Sequence, residues 1–184
     1  MSNPNSVKFK KIEDRKYAIS FLLENNGIDN STINDFVLIE LLYKVNHDNF
    51  IDGTIQYDET NGIMYVLIKP ICKELGFNNR YIYLSLEKQK QDNKTYIQCT
   101  PIDVSTLHLI DEKYHHYLKD PSILSTSLSK MNITIHKTNK HQMVVDLVFS
   151  LEPSFYIFPL FETILKMFLK KIFKNLQMYY LMIT

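Results

Sequence analysis

The chain has 184 residues, a formal net charge of +1, four glycines and no tryptophan. That length is most simply one domain with a substantial core, and 45% hydrophobic against 22% charged residues is the balance of a globular protein. The near-zero charge argues against nucleic-acid binding, which needs a concentrated basic surface; with so few glycines and no GxGxxG or P-loop pattern, no phosphate-cradling loop is expected either.

The opening MSNPNSVKFKK lacks the apolar run of a signal peptide, so the expected setting is cytoplasmic. Residues 1–16 read as a flexible, solvated end, and 17–184 as a single domain. In a reducing compartment Cys72 and Cys99, without metal-ligand partners at short spacing, read as buried or half-buried small apolar residues, and the Asn-X-Ser/Thr triplets at Asn30, Asn93 and Asn132 stay unmodified.

YAISFLL, residues 17–23, reads as a strand, followed by a turn over Gly27 to Asn30. Asn30, Ser31 or Thr32 can cap a helix that ends near Asn46, with Phe36, Val37, Ile39, Leu41, Leu42 and Val45 as a loose apolar stripe. TIQYDE and GIMYVLIKPI form a hairpin turned through Thr60-Asn61-Gly62, since Asn-Gly is a strong hairpin signal. RYIYLSLEKQ and TYIQCTPI flank QDNK in a second hairpin. Its first strand has one wholly apolar face, Ile82, Leu84 and Leu86, and a second face that runs from aromatic to polar, Tyr81, Tyr83, Ser85 and Glu87. Residues 103–128 are less regular, with a short helix or loop around DEKYHHYLKD. MNITIHKT and HQMVVDLVFSLE make a third hairpin around Asn139-Lys140.

The chain ends in FPLFETILKMFLKKIFKNLQMYYLMIT. At about 100° per residue, Phe161, Ile164, Leu165, Phe168, Ile172 and Leu176 share one arc, with Leu169 and Phe173 at its edge; Glu162, Lys166, Lys170, Lys174 and Gln177 fall opposite. Charges at such short intervals exclude a spanning helix and leave an amphipathic one, opened by Pro159 in its first turn. The element order predicts an α+β fold, a curved antiparallel sheet wrapped around this long C-terminal helix. Such a sheet either packs solidly against the helix or leaves a space between them, and periodicity does not distinguish the two.

Rival constellations are weaker. Asp48, Asp52, Gly53, Ile55 and Glu59 sit at calcium-loop spacing, but Phe50 stands where a liganding oxygen is required and no exit helix follows. His115 and His116 point apart on a helix, and His136 and His141 across a hairpin lack a third ligand, so no metal site is expected. No G-x-S-x-G elbow or Cys-His signature marks a nucleophile. Asp146, inside MVVDLVF, is either a paired structural acid or a polar anchor inside a cavity, because an unpaired buried charge is costly; Arg80 is a candidate partner for such an acid.

Three stretches resemble the START (steroidogenic-acute-regulatory-protein-related lipid-transfer) domains of the helix-grip superfamily. VLIELLYKVNHDNFIDGTIQYDETNGIMYVLIKPI is similar to the family's early helix, tight turn and two strands. Asn79-Arg80-Tyr81-Ile82-Tyr83-Leu84 resembles its "N-R-acidic-aromatic-valine-tyrosine" strand, with Tyr81 in place of the acid, and DLVFSLEPSFYIFPLFETILKMFLKKIFKNL resembles its last strand, proline turn and closing helix. Phe50 stands near the family's usual tryptophan.

The resemblance implies a START-like domain over residues 17–184 that binds, and in some members transfers, a lipid or other hydrophobic small molecule. It implies no cofactor and no covalent chemistry, and adds transient contact with a membrane surface. The expected ligand-binding residues are Phe161, Ile164, Leu165, Phe168 and Ile172, with Asp146 and Arg80 as polar candidates. Two other readings stay open: a ligand-free protein-interaction module with a filled core, and a helix-grip cyclase or hydrolase, which would need an acid/base pair inside the cavity.

Overall fold

The computed structural model describes residues 6–70, 78–103, 112–120 and 122–183. Cys72 and residues 104–111 of the irregular segment lie outside the described residues. Strands β1 (Lys8–Glu13), β2 (Lys16–Glu24), β3 (Phe50–Tyr57), β4 (Asn61–Ile68), β5 (Arg80–Gln91), β6 (Lys94–Pro101), β7 (Leu124–Ser125), β8 (Leu128–Asn139) and β9 (Gln142–Leu151) alternate with helices α1 (Asp35–Lys44), α2 (His115–Lys119) and α3 (Phe161–Met182). The described strands form one curved sheet in the order β1-β2-β9-β8-β6-β5-β4-β3, with the short β7 paired to β5. All neighbours are antiparallel except β5 and β7.

Alternation sorts the side chains between the two faces, because successive residues of a strand point to opposite sides. Tyr17, Ile19, Phe21 and Leu23 of β2 and Met143, Val145, Leu147, Phe149 and Leu151 of β9 are buried on the concave face. There they meet Leu84, Leu86, Ile97, Ile133 and Ile135, and from α3 Ile172, Phe173, Leu176 and Tyr180, in one core. The rings of Phe21 and Phe173 lie 4.9 Å apart, and a buried side chain of this kind contributes about 1.5–3 kcal/mol. On the convex face of β4 and β5 a smaller cluster, Tyr65, Leu67 and Tyr83, is covered by Tyr114 and Ile123. The aromatic beginning of β5's second face is therefore a buried patch, and its polar end is half-exposed or exposed.

Local chemistry sets the turns and caps. Asn34 caps α1, its Oδ1 accepting from Phe36 N at 3.1 Å, a few residues later than the sequence places the cap. Asp58 Oδ1 accepts from the backbone N–H groups of Thr60 and Asn61 at 2.7 Å each. This closes the β3–β4 turn before Asn-Gly, and Gly62 already pairs with Tyr57. The β5–β6 turn places Asp92 at φ 52, a left-handed conformation that Asp tolerates better than most residues. Gly53 lets α1 approach β3, since a Cβ there would stand 3.0 Å from both the Tyr43 ring and the Tyr65 carbonyl oxygen.

At both ends of the chain the structure differs from the sequence expectation. Lys8–Glu13, inside the expected flexible end, form an edge strand, Phe9 stacking on Tyr17 at 5.6 Å. Its lysines, read as solvation, are also what natural edge strands use to deter pairing with other chains. Pro159 precedes α3, whose N-cap is Leu160. No helix among the described residues is long and apolar enough to cross a membrane.

Candidate functional site

Between the concave face and α3 lies a pocket of about 270 Å³. Its walls come from the inward residues of β2, β4, β5, β8 and β9, from Leu38, Ile39, Leu42 and Tyr43 of α1, and from the apolar face of α3. Phe155 and Phe158, in the loop before α3, line it too, and the Phe155 and Phe158 rings both pack on Phe161, 5.1 and 5.5 Å away. The lining is overwhelmingly carbon, because the period-2 faces of the strands and the helical arc of α3 are aimed at the same space.

Phe161, Ile164, Leu165, Phe168 and Ile172 all line this pocket, and so does Arg80. Asp146 does not. It lies half-exposed on the convex face, where it pairs in register with Ser20 and Thr134. The apolar run around it is misleading because Val144 and Val148, on the same outward face, are themselves only half-buried. Asp146 is thus neither a cavity anchor nor the partner of Arg80.

Arg80 makes neutral contacts instead. Its Nη1 donates to the Ser125 carbonyl at 2.7 Å, and its guanidinium lies over the Phe155 ring, 5.5 Å from the centroid. Burial pulls its pKa below that of a free guanidinium. Lys69, Asn78 and Thr126 also reach the pocket. Sequence reasoning missed these three because they sit just outside or between regular strands, where no periodicity marks them.

No carboxylate, imidazole or thiol belongs to the described lining of the pocket. Cys99 is buried among apolar groups that push its thiol up to about 12, which keeps it protonated and poorly nucleophilic. His136 faces Asn93, Nε2 and Nδ2 being 3.0 Å apart, whereas His141 Nδ1 lies 2.9 Å from the Ile28 carbonyl oxygen, so the two imidazoles do not converge. The calcium-like spacing is mostly the extended strand β3, and no group of three or more His, Cys, Asp or Glu suited to a metal stands together among the described residues.

Polar groups fasten the far end of α3. Asn46, 1% exposed, donates from Nδ2 to the carbonyls of Leu42 and Ile172 at 2.9 and 3.1 Å and accepts from Asn175 Nδ2 at 2.9 Å. Asn25 Nδ2 donates to the Tyr180 carbonyl at 2.6 Å, Gln177 Nε2 to the Leu22 carbonyl at 2.8 Å, and the Tyr180 hydroxyl to Asn30 Oδ1. Gln177 therefore faces β2 rather than solvent.

No protein-family model matches the sequence, and no curated protein matches it significantly. Among solved structures, the human StarD13 (DLC2) lipid transfer and protein localization domain aligns over 96% of this chain and 84% of its own, with a TM-score of 0.64 at 7% identity. Human StAR-related lipid transfer protein 5 aligns over 96% and 87%, TM-score 0.55 at 9% identity. Human STARD10 aligns over 95% and 74%, TM-score 0.55 at 12% identity. The chain has a START-like helix-grip fold.

Proposed function

We propose that this chain binds a lipid or comparable hydrophobic small molecule between the concave sheet and α3, and carries it between membrane surfaces in the cytoplasm without covalent chemistry. The observation that carries the proposal is the pocket of about 270 Å³, whose walls are almost wholly apolar. Expelling water from such walls supplies affinity of roughly 25 cal/mol per Å² of apolar area buried, before ordering costs are subtracted. Two of the similar solved structures are described as lipid-transfer proteins or domains, which supports the same reading. Phe161, Ile164, Leu165, Phe168 and Ile172 are the proposed contacts on the helix side. Tyr156, Leu160 and Met167, 77, 61 and 68% exposed beside these residues, are the proposed contacts with a membrane.

Native mass spectrometry of the purified protein before and after organic extraction tests the binding step. The expected result is a stoichiometric adduct that extraction removes and that returns when the protein meets lipid vesicles. Persistent absence of an adduct across lipid classes would overturn the proposal and favour the interaction-module reading of the fold.

A further inference from the structure

The polar part of the pocket is gathered at one end. Apart from Tyr43, the described lining residues with polar side chains are Lys69, Asn78, Arg80 and Thr126. Sheet register explains their convergence. Ile68, directly before Lys69, pairs with Arg80, and Arg80 pairs on its other side with Leu124, two residues before Thr126. The Leu124 and Thr126 N–H groups donate to the carbonyls of Asn79 and Tyr81 at 3.1 and 3.0 Å. Neighbouring strands are about 4.8 Å apart, so these side chains stand within reach of a single head group. Lys69 and Asn78 are exposed while Arg80 and Thr126 are half-buried, which makes this end a mouth facing solvent.

Among the described residues, charge at the mouth is one-sided. Lys69 and Arg80 are cationic, and none of the described lining residues is a carboxylate. Among the described residues, the partners of Arg80 are a carbonyl oxygen and an aromatic ring, so desolvation of its charge is answered by neutral groups. A half-buried cation with no anionic partner among the described residues is what an anionic ligand would complete, since charge-assisted hydrogen bonds are about twice as strong as neutral ones. The size of the pocket narrows the choice further. About 270 Å³ lies just under the roughly 300–1,000 Å³ of typical small-molecule sites, which suits one hydrocarbon chain rather than two.

Resting on the pocket reading above, we infer that the ligand is a single-chain amphiphile with an anionic head group. Arg80 and Lys69 hold the head at the mouth, with Asn78 and Thr126 supplying neutral hydrogen bonds, and the chain runs inward against Phe168 and Ile172. Carboxylate and phosphate heads share this chemistry.

Calorimetric titration of the delipidated full chain with dodecanoate, dodecyl phosphate and 1-dodecanol tests the inference. The wild type should bind the anionic probes roughly tenfold or more tighter than 1-dodecanol, and added salt should weaken only the anions. K69Q/R80Q should reduce that ratio to about one while keeping 1-dodecanol affinity, which also reports an intact pocket. R80K should retain most of the preference, and K94Q, in the distant β5–β6 hairpin, all of it. Should the double variant not fold, K69Q alone must lower anion affinity severalfold without changing that for 1-dodecanol. Whichever anion binds tighter identifies the head. Equal affinity of the wild type for all three probes would overturn the head-group inference and leave the pocket standing. Binding of none would overturn the pocket reading as well.

Discussion

The two halves of α3 are fixed in different ways. From Ile172 onward the helix is buried at Ile172, Phe173, Leu176 and Tyr180 and tied by Asn25, Asn30, Asn46 and the Leu22 carbonyl. From Phe161 to Leu169 no side chain is fully buried, and the ties to Glu162 are an exposed ion pair with Lys11 Nζ at 2.6 Å and a partly buried bond from Tyr17 Oη at 3.3 Å. Solvent screens an exposed pair such as Lys11–Glu162, so it holds the helix weakly. Both halves line the pocket, but only the half from Ile172 onward is also buried and tied to the rest of the fold, and the same apolar periodicity serves both.

The sharpest test is a matched pair of truncations. Phe173→Ala, in the fastened half against Phe21, should cost about 3–5 kcal/mol, the usual loss for a packed core Phe. Phe168→Ala should cost less than about 2 kcal/mol, because this side chain is only half-buried and less packed surface is lost with it, and should change which lipids are extracted with the protein. Chemical denaturation of both variants decides it; equal losses would mean that the two halves are packed alike.

Next in size is Asn25→Ala. It removes the donor shared by the Tyr180 and Ile183 carbonyls, and leaving such acceptors without a partner costs about 1–3 kcal/mol. Hydrogen exchange should quicken in the last turns of α3 and stay unchanged around Phe161; acceleration at both ends would break the distinction.

A smaller effect concerns pH. Burial pushes the Tyr180 phenol up to about 12 from an ordinary value of 10.0. With the folded value above the unfolded one, the folded state holds the proton more tightly between them, so this contribution is whole below about pH 10 and is lost as pH rises towards about 12. Tyr180→Phe should cost about 1 kcal/mol at neutral pH through the lost bond to Asn30 and make the alkaline decline in melting temperature shallower. An unchanged decline would mean that the phenol does not contribute.

The smallest change is expected from Lys170→Glu. Stability should stay within about 0.5 kcal/mol, whereas attachment to anionic vesicles should weaken, a basic residue near such a surface being worth about 1 kcal/mol. Co-sedimentation with vesicles of rising anionic lipid content measures it; unaltered attachment would remove this face of α3 from the membrane contact.

Much of the fold was legible where a single period governs a long segment. The three hairpins and the arc of α3 follow from alternation and from the 100° repeat, and even the change from Tyr83 to Glu87 along β5 forecasts where the convex cover ends. What escaped had causes outside local pattern. β1 is an edge strand whose lysines imitate a solvated tail, and the mouth of the pocket is assembled by register from residues more than 50 positions apart, Lys69 and Thr126. Asp146 was misassigned because apolar neighbours on both faces of β9 conceal which way it points. Arg80 came from the family resemblance, and only the structure sets it beside Ser125 and Phe155.

Asn46 carries a mechanical consequence. By bonding the Ile172 carbonyl while closing the end of α1, it fixes α3 at a point about midway along its length. Eleven residues at about 1.5 Å of rise separate Ile172 from Phe161, an arm of about 17 Å. A bend of about 10° in the helix at that point would swing the tip by roughly 3 Å, enough to part side chains in van der Waals contact while the half beyond the pivot keeps its hydrogen bonds.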